Sequence, residues 1–217
     1  MRIKNIGLLV MLMVGTTVSA QGDAISAKLE KPKVLAQFNG VGHDNYKLEQ
    51  VKNISVSSNS QHADGKYHPS NLIDNNNATA WVANLKHLDY PQKDAKGTAA
   101  YFSFSDGDEP LLIEIVPGYA KNEKTWKENA TIKKVRITYL NENKDMNAPI
   151  MDQIVMLDSK SPMKSQYVSF MSDYVHNMAM TEFSFIRVEI LDTKAGDKYQ
   201  DACISTINFY KKGSQIK

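Results

Sequence analysis

From Lys134 to Tyr139 the segment Ile132-Lys133-Lys134-Val135-Arg136-Ile137-Thr138-Tyr139-Leu140 alternates strictly between polar and apolar side chains. Successive side chains of an extended chain point to opposite faces, so Val135, Ile137 and Tyr139 share one face and Lys134, Arg136 and Thr138 the other. This spacing predicts a β-strand with one face in a core and a wet outer face.

The same period recurs on both sides of that stretch. Asn53-Ile54-Ser55-Val56-Ser57 sets Ile54 and Val56 against hydroxyls, and Ala100 to Phe104 sets Phe102 beside Phe104. Leu111 to Val116 pairs Ile113 with Ile115 before Pro117-Gly118 stops it. Ile150 to Leu157 and Gln166 to Met171 are the next two candidate strands, and Phe185 to Ile190 repeats the alternation of inward and outward residues. Cys203 to Tyr210 closes the series, with Cys203, Ile207 and Phe209 expected on one side. Short strands at such intervals, with no capped helical period longer than about ten residues, predict an all-β sandwich.

The N-terminal segment belongs to a different physical class. Arg2 and Lys4 precede the apolar run Ile6 to Val14, and the small residues of Val18-Ser19-Ala20 follow it. That is the pattern of a signal peptide cleaved after Ala20, before Gln21. The run is shorter than the ~20 residues of a membrane-spanning helix, and no later stretch comes closer, so no membrane span is expected. Residues 1–20 are therefore read as a signal peptide, 21–50 as an N-terminal extension with room for one edge strand, and 51–212 as the sandwich. Turns are expected at Asn39-Gly40 and Val41-Gly42. The expected location is secreted or periplasmic.

Charge and cysteine usage narrow the function classes. The 217 residues carry 26 basic and 24 acidic groups, a net charge of +2, with the two signs interspersed and no basic stripe for nucleic acid. Cys203 is the single cysteine, so the domain is held by apolar burial; its bland reading is a small buried hydrophobe, the alternative a reactive thiol. No nucleophile elbow, phosphate loop or zinc motif is present, and His43, His62, His68, His87 and His176 stand apart in loops. His62-x-Asp64 and His87-x-Asp89 are two-residue patterns that surface loops produce freely. Asn53, Asn77 and Asn129 head Asn-x-Ser/Thr triplets, which matter only in a host that glycosylates exported proteins. An enzyme is not expected.

Three motifs carry more. The first is Tyr67-His68-Pro69-Ser70-Asn71-Leu72-Ile73-Asp74-Asn75-Asn76-Asn77-Ala78-Thr79-Ala80-Trp81, a single helical turn followed by an oxygen-rich tight loop that re-enters a strand. The second runs Val116-Pro117-Gly118-Tyr119-Ala120-Lys121-Asn122, then Trp126, Asn129 and Ile132 to Val135. The third is Ile186 to Ile190, then Lys198-Tyr199-Gln200-Asp201-Ala202-Cys203-Ile204-Ser205. The first resembles the opening loop of discoidin, or coagulation-factor type-C, domains. All three, in this order over roughly residues 52–210, are similar to the NADase-type glycan-binding domain, named after the non-catalytic part of a secreted NAD-glycohydrolase.

That resemblance implies a galactose-binding-like, discoidin-type jelly-roll β-sandwich that binds a glycan, or a glycan-bearing partner, through loops at one end without turnover. It directs attention to Tyr119, Lys121, Asn122 and Trp126, which lie in a polar loop between two strands. A sugar ring needs a flat apolar face and nearby donors for its hydroxyls, and this loop holds both. Tyr67 and His68 are the candidate second wall. Trp81, entering a strand after a turn, is read as core. In calcium-binding relatives oxygen donors equivalent to Asp74, Asn77 and Thr79 hold a structural ion, completed by a carboxylate near the last strand; here that position looks like Thr206. The alternative is that Asp74 and Thr79 hold the loop by hydrogen bonds without an ion; no other cofactor is expected. A second functional reading is an adaptor or inhibitor that docks another exported protein through the same loops, and a third is an uncharacterised hydrolase.

Overall fold

The computed structural model describes residues 24–38, 43–59, 65–83, 97–105, 110–140, 143–146, 149–169 and 185–216. The signal peptide with its cleavage site, the turns at 39–42, and His62, His87 and His176 lie outside these residues.

Strands group into two layers. In one, β4 (Ile54–Ser58), β6 (Ala99–Phe104), β11 (Phe185–Lys194), β8 (Ala130–Leu140) and β9 (Met151–Met156) are antiparallel neighbours in that order, and β1 (Ile25–Ser26) adds in parallel to β9. In the other, β10 (Gln166–Ser169), β7 (Leu112–Pro117), β12 (Ala202–Gln215), β3 (His43–Gln50) and β2 (Val34–Phe38) run antiparallel. The layers meet at the start of β12, where Ala202 and Cys203 pair with Ala130 and Thr131 of β8 on one side and β5 (Trp81–Ala83) flanks the other. β12 thus pairs with four strands.

Between the layers lies the core. Phe209 of β12 touches Phe102 and Phe104 of β6 at ring-centroid distances of 4.8 and 5.0 Å. Ile113, Ile115, Val135, Ile137, Ile186 and Val188 fill the space beside them. Ile54 and Val56 pack against this core while the alternate serines of β4 face out, as the alternation predicted.

Three expectations are corrected. The extension contributes three strands, not one edge strand. Its β3 reads as polar, yet Tyr46 and Leu48 alternate onto a cluster with Leu112 and Tyr210 on the outside of the second layer. Residues 25–28 also strap the sandwich: Ile25 and Ser26 pair with β9, and Lys28 exchanges two backbone hydrogen bonds with Tyr167 of β10, at 2.9 and 2.7 Å.

The outer face of β8 and β11 is only partly wet. Lys134 and Arg136 are half-buried, and Thr138, Arg187 and Glu189 are buried: Thr138 Oγ1 donates to Asp152 Oδ1 at 2.9 Å, Arg187 Nη1 to Glu189 Oε2 at 2.6 Å and the Gly97 N–H to Glu189 Oε1 at 2.6 Å. Arg136 adds its charge 3.6 Å from the same carboxylate. A polar residue on a pleated face is compatible with burial when every charge has a partner, and alternation alone does not reveal that.

Cys203 does not share a side with Ile207 and Phe209. Both Ile204 and Ile207 reach the main core, so the two-residue period breaks between them; Cys203 joins Ala80 and Val82 instead. Burial pushes its thiol up to about 12, which leaves it a buried small hydrophobe.

On the outside of the second layer Glu114 is buried among donors. The hydroxyls of Tyr210 and Tyr167 reach it at 2.5 and 3.1 Å and the Asn208 amide at 3.1 Å. Burial alone would push its carboxyl up; these hydrogen bonds, with one from Ser165, outweigh that and hold it below the ordinary value. A carboxyl depressed in the folded state adds stability above its unfolded pKa, and that contribution is lost as pH falls through the folded value. Urea melts of Glu114→Gln should therefore show a shallower loss of stability below about pH 4.5 than the parent. Equal slopes would remove Glu114 from the acid response.

Candidate functional site

The loops between β4 and β5, β7 and β8, and β11 and β12 gather where β12 begins. In the first, two short 3-10 turns, Gly65–Tyr67 and Pro69–Leu72, precede the Asp74 loop. Leu72 is fully buried and anchors them. His68 caps the second turn, its Nδ1 accepting from the Ser70 N–H at 3.2 Å. Asn71 Nδ2 donates to the carbonyls of Lys66 and Ala80 at 2.6 and 2.8 Å, which fixes Tyr67 against the strand bearing Trp81.

In the Asp74 loop Asn75 adopts a left-handed φ of 56°, a conformation that asparagine tolerates better than other residues with a side chain. Asp74 Oδ1 accepts from the Asn76 N–H at 2.8 Å and Oδ2 from the Thr79 hydroxyl at 2.6 Å. Asn77 Oδ1 accepts from the Thr206 hydroxyl at 2.7 Å. Calcium takes six to eight oxygens, including carboxylates. Asp74 is the loop's one carboxylate, both its oxygens take protein donors, and Thr206 offers a hydroxyl donor where a second carboxylate is needed. The residues present do not fit the ion, and Asp74 and Thr79 join by a hydrogen bond.

The second loop contains α1 (Glu123–Glu128), a single capped turn where the sequence reads as irregular loop. Asn122 is its N-cap: its side chain accepts from the Thr125 N–H at 2.9 Å, and Thr125 Oγ1 accepts from the Asn122 N–H at 3.1 Å. Trp126 is buried, and its indole N–H donates to the Pro117 carbonyl at 3.3 Å. The ring occupies space left by Gly118, whose φ is +84° and where an added Cβ would lie 2.7 Å from Trp126 Nε1. Trp126 is thus scaffold and offers no face to a sugar. Asn122 lines an open depression with Glu123, Lys127, Glu128, Asp197 and Lys198, while Lys121 is exposed on the preceding turn.

What the structure does bring together is Tyr119 and Tyr67. Their rings meet edge to face at 6.4 Å, both half-buried over Ala80, Val82 and Cys203. The Tyr119 hydroxyl donates to the Ala78 carbonyl at 3.3 Å, joining the second loop to the Asp74 loop. Burial pushes the Tyr119 phenol up, and the nearby Lys66 ammonium partly offsets this. With exposed His68 next in sequence to Tyr67, the result is a half-exposed aromatic ledge, the residue type that can pack on the apolar side of a ring.

Sequence reasoning gave no role to Ser205 or Gln50. Ser205 accepts the Ala120 N–H at 2.8 Å and donates to the Gly118 carbonyl at 3.1 Å, so it seats the segment that carries Tyr119. Gln50 Nε2 donates to Asn75 Oδ1 at 3.0 Å. Ser205 stood within the third motif; nothing in the local pattern marks Gln50.

A family model described as the NAD glycohydrolase translocation F5/8 type C domain matches residues 45–210. Among solved structures, an F5/8 type C domain of Bacteroides fragilis has a TM-score of 0.53 at 14% identity, over 77% of this chain and 98% of that one. A CBM32 module of Clostridium perfringens, in complex with GalNAc-β-1,3-galactose, has a TM-score of 0.52 at 12% identity, over 75% and 100%. At such identities the likeness is one of fold. Among curated proteins, none matches the chain in sequence.

Proposed function

Since the chain belongs to the NAD glycohydrolase translocation F5/8 type C domain family, we propose that it is an exported, non-catalytic module that binds carbohydrate on the Tyr67–Tyr119 ledge. The observation that carries this reading is the edge-to-face pair itself: two half-buried tyrosines, contributed by different loops, form one apolar ledge. The ligand of the Clostridium perfringens module that shares the fold sets the sugars to try first, galactose and N-acetylgalactosamine.

Non-catalytic action is supported, among the described residues, by the state of the buried reactive groups. The Cys203 thiol is buried and its pKa raised, and the buried carboxylates Glu114 and Glu189 are consumed by hydrogen bonds away from the ledge. Fold alone does not carry chemistry.

Affinity electrophoresis and a glycan array test the reading, with circular dichroism confirming a folded sample. Tyr67→Ala and Tyr119→Ala should each lose a stacking contact worth roughly 0.5–1.5 kcal/mol beyond area burial, or up to about tenfold in affinity. A folded parent that retains no glycan, or variants that bind as the parent does, would sink it. A single stoichiometric protein captured from the exported fraction, independent of sugar, would favour the adaptor instead. Export has its own test: the intact mass of the exported form should begin at Gln21, and retention of residues 1–20 would overturn it.

A further inference from the structure

The break in alternation at the start of β12 has a chemical product. Because Ile204 and Ile207 both enter the core, the two residues between them, Ser205 and Thr206, are both free to serve the loops above. Ser205 Oγ takes the Ala120 N–H at 2.8 Å, reaches the Gly118 carbonyl at 3.1 Å and stands 3.5 Å from the Asn77 carbonyl. Thr206 Oγ1 donates to Asn77 Oδ1 at 2.7 Å. One pair of hydroxyls therefore grips the Tyr119 segment and the Asp74 loop at once.

Each side-chain oxygen from Asp74 to Asn77 accepts a hydrogen bond from within the protein. Asp74 takes Asn76 and Thr79, Asn75 takes Gln50, Asn76 Oδ1 takes the Ala78 N–H at 3.0 Å, and Asn77 takes Thr206. The loop thus supplies one carboxylate, and Thr206 presents a neutral hydroxyl that already donates to Asn77, a poorer set than the carboxylate-rich oxygen cages that calcium takes.

We infer that Ser205 and Thr206 are positioning residues that hold the two ledge-bearing loops against each other by hydrogen bonds, in place of a divalent cation. The role in ligand binding rests on the glycan reading above, whereas the hydroxyl clasp and its indifference to calcium do not. Thr206→Val removes the donor without changing shape, and Thr206→Ser restores it.

The test is an amide ¹⁵N–¹H spectrum of the protein in chelator and then in millimolar calcium, with thermal melts alongside. The amides of Asp74 to Thr79 and of Tyr119 and Ala120 should not move between the two conditions, and the melting temperature should not change. Thr206→Val and Ser205→Ala should shift the amides of both loops together while those of Val135 and Ile137 stay in place, and Thr206→Ser should return them. For the first glycan retained, Thr206→Val should weaken binding on the order of two- to tenfold, the worth of one hydrogen bond. Saturable calcium-dependent shifts in Asp74 to Thr79, or perturbation confined to one loop in both variants, would overturn the inference. Should Ser205→Ala fail to fold, the calcium comparison on the parent and the Thr206 pair still decide. Absence of any glycan ligand removes only the affinity arm and counts against the proposed function, not against the clasp.

Discussion

Trp81→Ala should lower the unfolding free energy by ~3–5 kcal/mol, the cost of emptying a fully packed indole site. Trp81 has no exposed surface, sits opposite Ile204 in the β5–β12 pairing, and belongs to the main core. Domains of this size are held by ~5–15 kcal/mol, and each kcal/mol moves the melting temperature by about 2–4 °C, so a fall of roughly 6–20 °C is expected. Calorimetry reads it directly. A variant that melts with the parent would mean that the cavity collapses without cost or that the indole is not core.

Glu189→Ala should be as severe, for a different reason. The substitution strands Arg187, which is 4% exposed, and removes the acceptor of the Gly97 N–H. Breaking one side of a buried ion pair costs ~3–5 kcal/mol, because an uncompensated charge stays in a poor solvent. Replacing both members with apolar residues, Arg187→Met with Glu189→Leu, should recover the part due to the stranded Arg187, while the Gly97 N–H still lacks its acceptor. Urea titrations of the single and double variants separate the two effects. If the double variant is no better than the single, the pair contributes attraction beyond its desolvation cost.

Alternation marked β4, β6, β8 and β11, whose pattern needed no tertiary information. It failed where the deciding fact was a partner far away in sequence. Arg187 and Glu189 read as solvent-facing since nothing in Phe185 to Ile190 shows that Gly97 and Arg136 will enclose them. β3 read as polar loop because its apolar positions, Tyr46 and Leu48, are only half-covered and depend on Tyr210.

At the proposed ledge, the motifs pointed to the two loops that carry Tyr67 and Tyr119, but Trp126, read as a binding residue in one of them, is buried. Trp126 in a polar segment reads as exposed. Only the positive φ of Gly118 opens the space into which its ring turns. Tyr67 and Tyr119 are separated by more than fifty positions, and their meeting depends on Asn71, Ala78 and Ser205, whose bonds have no sequence period.

Four strands depend on β12. Without Ala202 to Gln215, β7 lacks its inner neighbour, β5 has no partner among the described residues, and the β2–β3 hairpin has no sheet to join. Pairings of this span form late and on the slow side for a domain, in milliseconds to seconds, since long loops must close before any contact rewards them. The layer of β4, β6, β11, β8 and β9 can pair on its own, whereas the second layer gains its centre only with β12.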